Sequence, residues 1–547
     1  MRNVLKKIRD FFFPPFSKRR DVYETVRKGL LMLKKRGFKG TYKELYWRVS
    51  KPRRLTPSGS HEESPWNQTN LLFDVAFFGH INHLPTSEKV DIVICVGQNQ
   101  KNIISCLSSI EKYTHPESYK LHLVIHQADV PKLPTHQLIS QVNLVSHEME
   151  LFNYSRANNL VLKHSTNDVV LLNDDTEVTE GWLDKLRQDS GGVALTGAHT
   201  GHMRAGNPQM WGRGEARLTN YPINMFCAYI PYRLRQVFGL LNEEYCYYGG
   251  EDVDFSCRAL LHGFPLVISS AYVEHKDNQS YKESKAVLIK QSDRILMETY
   301  GIEAPFDLNT IKPKVSIILA THNRPKLLQS AIESTLSIAY DNFEFIIVDD
   351  FSDIATSQLI YDYQQKDDRI LSIRLSQNVG SSKARSVGLK ASHGQFVLFT
   401  DDDDTVLANR ISSPLEFIIQ HPWLDVVYCN YNLISHDDTV TPVLADKFDL
   451  HAYMEMKFYI GFGMLLGRRQ AFLDVPFMST YDQAVDYDWV FRLLRKGYKI
   501  DLCPEIVMNY NRTGAPKFHL SGNQSSIDLH ETIHDRELLL QSMERHE

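Results

Sequence analysis

Four consecutive carboxylates, Asp401 to Asp404, follow a strand-like apolar run in "FVLFTDDDDT". Unit charges about 4 Å apart repel by roughly 4 kcal/mol at an effective dielectric near 20, so a fold that keeps them together needs a compensating positive charge. Along a strand alternate side chains share a face, which puts Asp401 with Asp403 and Asp402 with Asp404. Paired carboxylate oxygens beside open space suit a hard divalent cation, Mg²⁺ or Mn²⁺, that completes its shell with water and phosphate oxygens. A solvated acidic turn is the plain alternative.

Three stretches recur along the chain in the same order. Residues 90–99, "VDIVICVGQN", match 314–323, "KVSIILATHN", at an offset of 224. "VVLLNDDTEV" (169–178) matches "VLFTDDDDTV" (397–406) at 228, and "GGEDVDFSCRALLHGF" (249–264) matches "QAVDYDWVFRLLRKGY" (483–498) at 234. Ordered landmarks with slowly drifting offsets indicate a duplicated domain. The acidic motif therefore occurs twice, and each third landmark opens on a carboxylate, Asp252 or Asp486. Acids in a first helical turn are often mere dipole partners. Their recurrence downstream of the metal candidates leaves room for a general base.

Such residues need a scaffold that brings them together. Each copy opens with a β-branched strand, then a polar turn, an amphipathic helix ("RPKLLQSAIESTL") and another apolar strand ("FEFIIVDD"). That alternation predicts βαβ units and a mostly parallel sheet, with ligands beyond the carboxyl ends of the strands. Thr321, His322 and Asn323, then Asp349 and Asp350, then the acidic cluster all fall at such ends. "NVGSSKARSVG" adds Lys383 and Arg385, cations suited to a diphosphate, although the segment fits neither common glycine-rich phosphate motif.

At 547 residues, 43% of them apolar, the chain predicts two or more domains of ordinary soluble composition. No run reaches the length of a membrane span, and the start shows no secretory pattern, so a cytoplasmic protein is expected. Seven cysteines without a CxxC pair read as reduced thiols, not as a disulfide frame or zinc site. The net charge of −5 conceals a basic arm, with 18 Lys/Arg against 4 Asp/Glu in residues 1–54. An amphipathic helix pair on an anionic leaflet and a basic extension packed on the body both fit it. Nucleic acid is not expected as a partner, because the body is acidic and carries no recognised motif. The expected organisation is a membrane-associating arm at 1–56, a linker at 57–88, one domain at 89–305 and a second at 313–547 with a C-terminal helical tail.

The ordered set, acidic strand end, "VVDDFSD" and "GGEDVDF" followed by Arg258 and Gly263, resembles the family 2 glycosyltransferases, in tandem. The resemblance spans roughly residues 90–300 and 314–515. It implies two GT-A (Rossmann-like) α/β domains behind a basic helical extension, nucleotide-sugar donors as co-substrates, and Mn²⁺ or Mg²⁺ as cofactor. Carried over residue by residue, it assigns the donor to Thr321, Asn323, Arg324, Asp349, Asp350, Lys383, Arg385, Asp401 and Asp402, with Asp401 and Asp403 toward the metal. In the first copy it assigns the donor to Gln98, Asn99, Asn158, Asn173 and Asp174, the metal to Asp175 and His275, and the general bases to Asp252 and Asp486. The sequence departs from the family in two places: His126 stands where the nucleotide-binding Asp is expected, and the second copy has no histidine at the place of His275, which falls near Asn509–Thr513.

The resemblance implies a bifunctional, inverting, metal-dependent enzyme that extends an oligosaccharide or lipid-linked glycan acceptor, peripheral on the inner face of the cell membrane. Trp211, Tyr221 and Phe226 are candidates for stacking on a sugar. Two rivals stay open: one catalytic copy beside a carbohydrate-binding or structural one, and a sugar-phosphate nucleotidylyltransferase. The latter wants a glycine-rich basic loop after the first strand, which "ATHNRP" and "CVGQNQ" do not provide.

Overall fold

The computed structural model describes residues 89–511 apart from 98–100, 151, 202–206, 211–213, 246–248, 277–284, 304–305, 307, 446, 455–459 and 478–484. The basic arm, the linker and the C-terminal tail lie outside the described residues, as do Gln98, Asn99 and Trp211.

The first domain is built on strands β1 (Val90–Cys95), β2 (Tyr119–His126), β3 (Asn143–His147), β4 (Asp168–Asn173), β5 (Thr176–Val178), β6 (Leu195–His199), β7 (Arg217–Leu218), β8 (Cys227–Ile230) and β9 (Leu266–His275). The second repeats the plan with β10 (Val315–Thr321), β11 (Phe343–Asp349), β12 (Ile370–Arg374), β13 (Phe396–Asp401), β14 (Thr405–Val406), β15 (Val426–Ile434), β16 (Val440–Val443), β17 (Leu465–Arg468) and β18 (Ile500–Asn511). The sheet orders are β3-β2-β1-β4-β8-β6-β9-β5 and β12-β11-β10-β13-β17-β15-β18-β14, the same order twice; the ninth strands differ, β7 pairing with β9 and β16 with β15. In each, the first four strands run parallel, while β8 and β17 pair antiparallel with both neighbours. Both sheets are therefore mixed, and the expected parallel arrangement describes the half that carries the βαβ units.

Helices α1 (Lys101–Tyr113) and α2 (Tyr154–Leu162) connect the parallel strands of the first domain, and α3 (Glu251–Leu261) leads into β9; α4 (Pro325–Leu336), α5 (Ser381–Ala391) and α6 (Val485–Arg495) do the same in the second. The last helix of each set turns back through a glycine of positive φ, Gly263 (φ 70°) and Gly497 (φ 82°), at the expected C-terminal stop. One apolar core packs against the first sheet through Ile92, Leu107 and Trp182. A second core is continuous from the other face of that sheet, through Phe255 and Phe264, into Phe396, Ile419 and Trp489 of the second domain.

Strand pairing fixes which residues of the two copies correspond. Val90 lies opposite Tyr119 and Asp168, whereas Val315 lies opposite Phe343 and Phe396. Val90 therefore matches Val315, an offset of 225 and not the 224 read from the sequence. The slip has a physical cause: strands buried on both faces lack the polar alternation that pins a register. By the same pairings Ile125 occupies the place of Asp349, and His126 that of Asp350, which corrects the expected correspondence. At the far edge Thr176 pairs with His275 and Val406 with Met508, so the counterpart of His275 is Tyr510.

Candidate active site

In the second domain β13 stops at Asp401, residues 402 and 403 form a turn, and β14 starts at Thr405. The strand alternation expected through Asp404 ends with the strand. Carboxylate oxygens of Asp401, Asp403 and Asp404 lie within 4.8 Å of one another, so Asp404 joins the pair that the sequence suggested. Asp402 stays outside that group, accepting from Thr321 Oγ1 at 2.7 Å and Arg324 Nη1 at 3.1 Å. Burial raises its pKa. Arg324 also reaches Asp403 at 3.4 Å, and Arg385 is bonded to Asp401. Two guanidiniums thus supply the positive charge that four adjacent carboxylates require. Asn511 closes the turn, donating its backbone N–H to Asp404 Oδ1 at 3.0 Å and its amide to the Asp403 carbonyl at 2.8 Å. Lys383 is exposed on the same helix as Arg385.

The neighbouring strand ends form the rim. Asp349 is buried and accepts from Ser352 N at 2.8 Å, Ser357 Oγ at 2.7 Å and Arg374 Nη1 at 2.8 Å. Asp350 accepts from the backbone of Val379 at 2.8 Å and Gly380 at 2.9 Å, fastening the start of α5. Asn323, at φ 57°, donates its N–H to Ser352 Oγ and accepts from Asp353 N. His322 Nδ1 lies 2.8 Å from the Asp350 carbonyl. These residues brace one another, and Phe351 stands half-exposed beside them. Arg374 escaped the sequence reading because only the β11–β12 register brings it opposite Asp349.

The first domain places Asp175 Oδ1 3.3 Å from His275 Nε2, so two residues 100 positions apart meet as expected. Asp174 accepts from Gly97 N at 2.8 Å, and burial pushes its pKa up to about 6. Asp174 and Asp402 therefore do the same job, tying the acidic turn to the end of the first strand. The Asn173 carbonyl accepts from Thr176 Oγ1 at 2.7 Å. Asn158 is buried in α2, its amide turned back on the Tyr154 carbonyl at 2.9 Å. His126 accepts from Ala128 N and packs edge-on against His147 at 5.4 Å. Phe226 is buried and stacked on His275 at 5.0 Å, so it is not offered to a sugar as the sequence suggested. Tyr221 is half-buried.

Each candidate base sits in the first turn of its helix. Asp252 accepts from Asn224 Nδ2 at 3.3 Å, and Asn224 Oδ1 accepts from Phe226 N at 3.1 Å, which links it through the Phe226 ring to His275. Gly250, at φ 102°, precedes that turn; a Cβ there would lie 2.6 Å from Tyr245. Asp486 accepts from Phe462 N at 3.4 Å, and the Phe462 ring lies 5.6 Å from the Arg385 guanidinium that binds Asp401. Both helices carry a structural acid two residues on: Asp254 pairs with Arg258, and Asp488 with Arg492, each at 2.7 Å. Glu251, beside Asp252, is buried and accepts from Gly249 N at 2.7 Å; burial first, and then the Asp252 charge, raise its pKa to about 8. Burial raises Asp252 as well.

The model of "Glycosyl transferase family 2" matches residues 316–488, inside the second domain. The UDP-Glc:alpha-D-GlcNAc-diphosphoundecaprenol beta-1,3-glucosyltransferase WfaP of Escherichia coli is 30% identical over 34% of this chain and 72% of its own length. The chain belongs to glycosyl transferase family 2. An uncharacterised glycosyltransferase of Methanocaldococcus jannaschii is 27% identical over 36% of this chain and 71% of its own length. The family makes the protein a glycosyltransferase, and its two domains are tandem copies of the GT-A plan. Staphylococcus aureus TarS in complex with UDP-GlcNAc aligns at a TM-score of 0.34 and 21% identity over 40% of this chain and 64% of that one, too slight a likeness to bear on function. No helix of the described residues is long and apolar enough to cross a membrane.

Proposed function

We propose that the chain carries two glycosyl-transfer centres that extend a surface glycan from nucleotide-sugar donors by an inverting mechanism. The observation that carries this reading is the convergence, in each copy, of an acidic turn and a helix-leading carboxylate at the carboxyl ends of the parallel strands. In each transfer the acceptor hydroxyl oxygen bonds to the anomeric carbon, the bond to the diphosphate oxygen breaks, and the proton passes to Asp252 or Asp486. Burial raises Asp252 and makes it a better proton acceptor than an exposed carboxylate. Arg324 and Arg385, bonded to the acidic turn, are the cations that would receive the diphosphate, with Lys383 of the same helix as Arg385 as a further candidate.

The donor atoms fit a divalent ion. Three clustered carboxylates in the second copy, and one carboxylate with one imidazole in the first, are the hard oxygen and borderline nitrogen ligands that Mn²⁺ or Mg²⁺ accepts. Asp401, Asp403 and Asp404, or Asp175 and His275, would hold it. When bound it supplies a Lewis acid for the departing diphosphate. The diphosphoundecaprenol acceptor in the name of WfaP supports a lipid-linked glycan for this chain too, with the basic residues 1–56 holding the enzyme at the inner leaflet.

A narrower reading, with only the second copy catalytic, draws on one observation: Ile125 and His126 replace Asp349 and Asp350. A panel of nucleotide sugars with Mn²⁺ tests both on the full chain, with thermal stabilisation and released nucleoside diphosphate as readouts. The two-centre reading expects two donors to be turned over, one lost in Asp252→Asn and the other in Asp486→Asn. Loss of all turnover in Asp486→Asn alone, with Asp252→Asn unaffected, establishes the narrower one.

A further inference from the structure

We infer that the two centres face away from each other, and that the growing glycan changes centre by leaving the enzyme and not by an internal transfer. This rests on the two-centre reading above. In the first domain Asp175 follows the carboxyl end of β4, His275 ends β9, and Asp252 lies in the first turn of α3. The residues that touch the second domain lie at the opposite end of the same elements. His262 and Gly263 follow α3, Phe264 precedes β9, and Arg233 follows β8, whose last residue Ile230 pairs with Val169 near the start of β4.

The second domain meets them with its own far end. Phe396 begins β13, five residues before Asp401, and pairs with Arg468 at the end of β17. Asp425 immediately precedes β15. The joint is dense. Arg233 binds Asp425 at 2.7 Å, and Arg468 donates to the His262 carbonyl while its guanidinium lies 4.2 Å from the Phe264 ring. A Cβ on Gly263 would lie 3.2 Å from both Ile419 and Phe396. Arg468 is fully buried and also donates to the Leu424 carbonyl at 3.0 Å and that of Pro422 at 3.2 Å.

A rigid joint at the amino ends of both strand sets directs the two carboxyl ends outward. Asp252 to His262 spans about 15 Å of helix, and Phe396 to Asp401 about 17 Å of strand, so the centres lie on the order of 35 Å apart with the joint between them. Among the described residues the packed joint lies between the two clefts, so a glycan end held in one does not pass through it to the other, and alternation proceeds by release and recapture.

The test uses full-length chains in the producing cell, which supplies its own donors and acceptor. Asp252→Asn and Asp486→Asn are expressed singly and together in a strain that lacks the wild-type copy, and surface polymer is measured by sugar analysis. Immunoblots of whole-cell extract confirm equal amounts of each chain. The expected result is no polymer from either variant alone and recovery to about half of the wild-type amount from the pair, because each centre is then present in half the chains. A pair as barren as the single variants, at wild-type protein levels, overturns the inference while leaving two centres in place. Normal polymer from either variant alone removes the two-centre reading and this inference with it.

Discussion

The two copies share the order of eight strands, yet they have distributed their charged groups differently. The second keeps four acids in its turn, two more on the rim at Asp349 and Asp350, and answers them with Arg324, Arg374 and Arg385. The first has Asn173 and Thr176 at the ends of its acidic turn, Ile125 and His126 on its rim, and pairs Asp175 with His275, where the second has Tyr510. It also adds Glu251 beside its candidate base, at a position held by Val485 in the second copy. Balance of charge explains the pattern: removing carboxylates relaxes the need for arginines, and an imidazole then stands beside the one carboxylate where the acid-rich copy sets carboxylates alone.

The sharpest way to break the comparison is to remove each base. Asp252→Asn and Asp486→Asn should each slow their own transfer by roughly 10²- to 10⁴-fold, the usual worth of a positioned base, with donor affinity essentially unchanged. Single-turnover assays with each donor check this, and a drop confined to Asp486→Asn would make the first copy a non-catalytic partner. Next in size is the joint. Arg468→Leu takes the donor from the carbonyls of Leu424, Pro422 and His262, and should destabilise the chain by about 3–5 kcal/mol in urea unfolding, as several buried acceptors left unsatisfied do. Two separate unfolding transitions already present in the wild type would show instead that the copies do not share a core.

A smaller effect is expected from exchanging the histidine. His275→Ala should weaken Mn²⁺ binding, and Tyr510→His should strengthen it at the second centre, each by about tenfold or 1.4 kcal/mol, read by calorimetric titration. The smallest concerns Glu251. Its folded pKa of about 8 lies above the ordinary 4.5, so between those values the native state binds more protons than the unfolded chain and stability falls as pH rises. Glu251→Gln should flatten the melting temperature between pH 5 and pH 8.5, and an unchanged slope would assign it to another group.

Much of this was legible in the residues. The duplication, the strand ends as meeting point and the Asp175–His275 pair followed from landmarks whose residue types carry chemistry. What stayed hidden depended on three-dimensional register. A one-residue slip between two uniformly apolar strands moved His126 from the place of Asp349 to that of Asp350. Asp404 joined the cluster because the chain turns at 402, a bend that a run of identical residues does not announce. Asn224 holds Asp252 from 28 positions away, and Arg468, in "GRRQ", looks like an ordinary solvated cation although it is completely buried.

The seat of Arg468 also has a temporal side. The carbonyl it reaches, that of His262, lies 206 residues earlier in the chain. At 5–20 residues per second of synthesis, the first domain therefore waits roughly 10–40 s with Phe264 and the end of α3 uncovered before its cover emerges from the ribosome. Newborn chains in that interval are the natural clients of chaperones, and truncations between residues 300 and 468 should accumulate as aggregates.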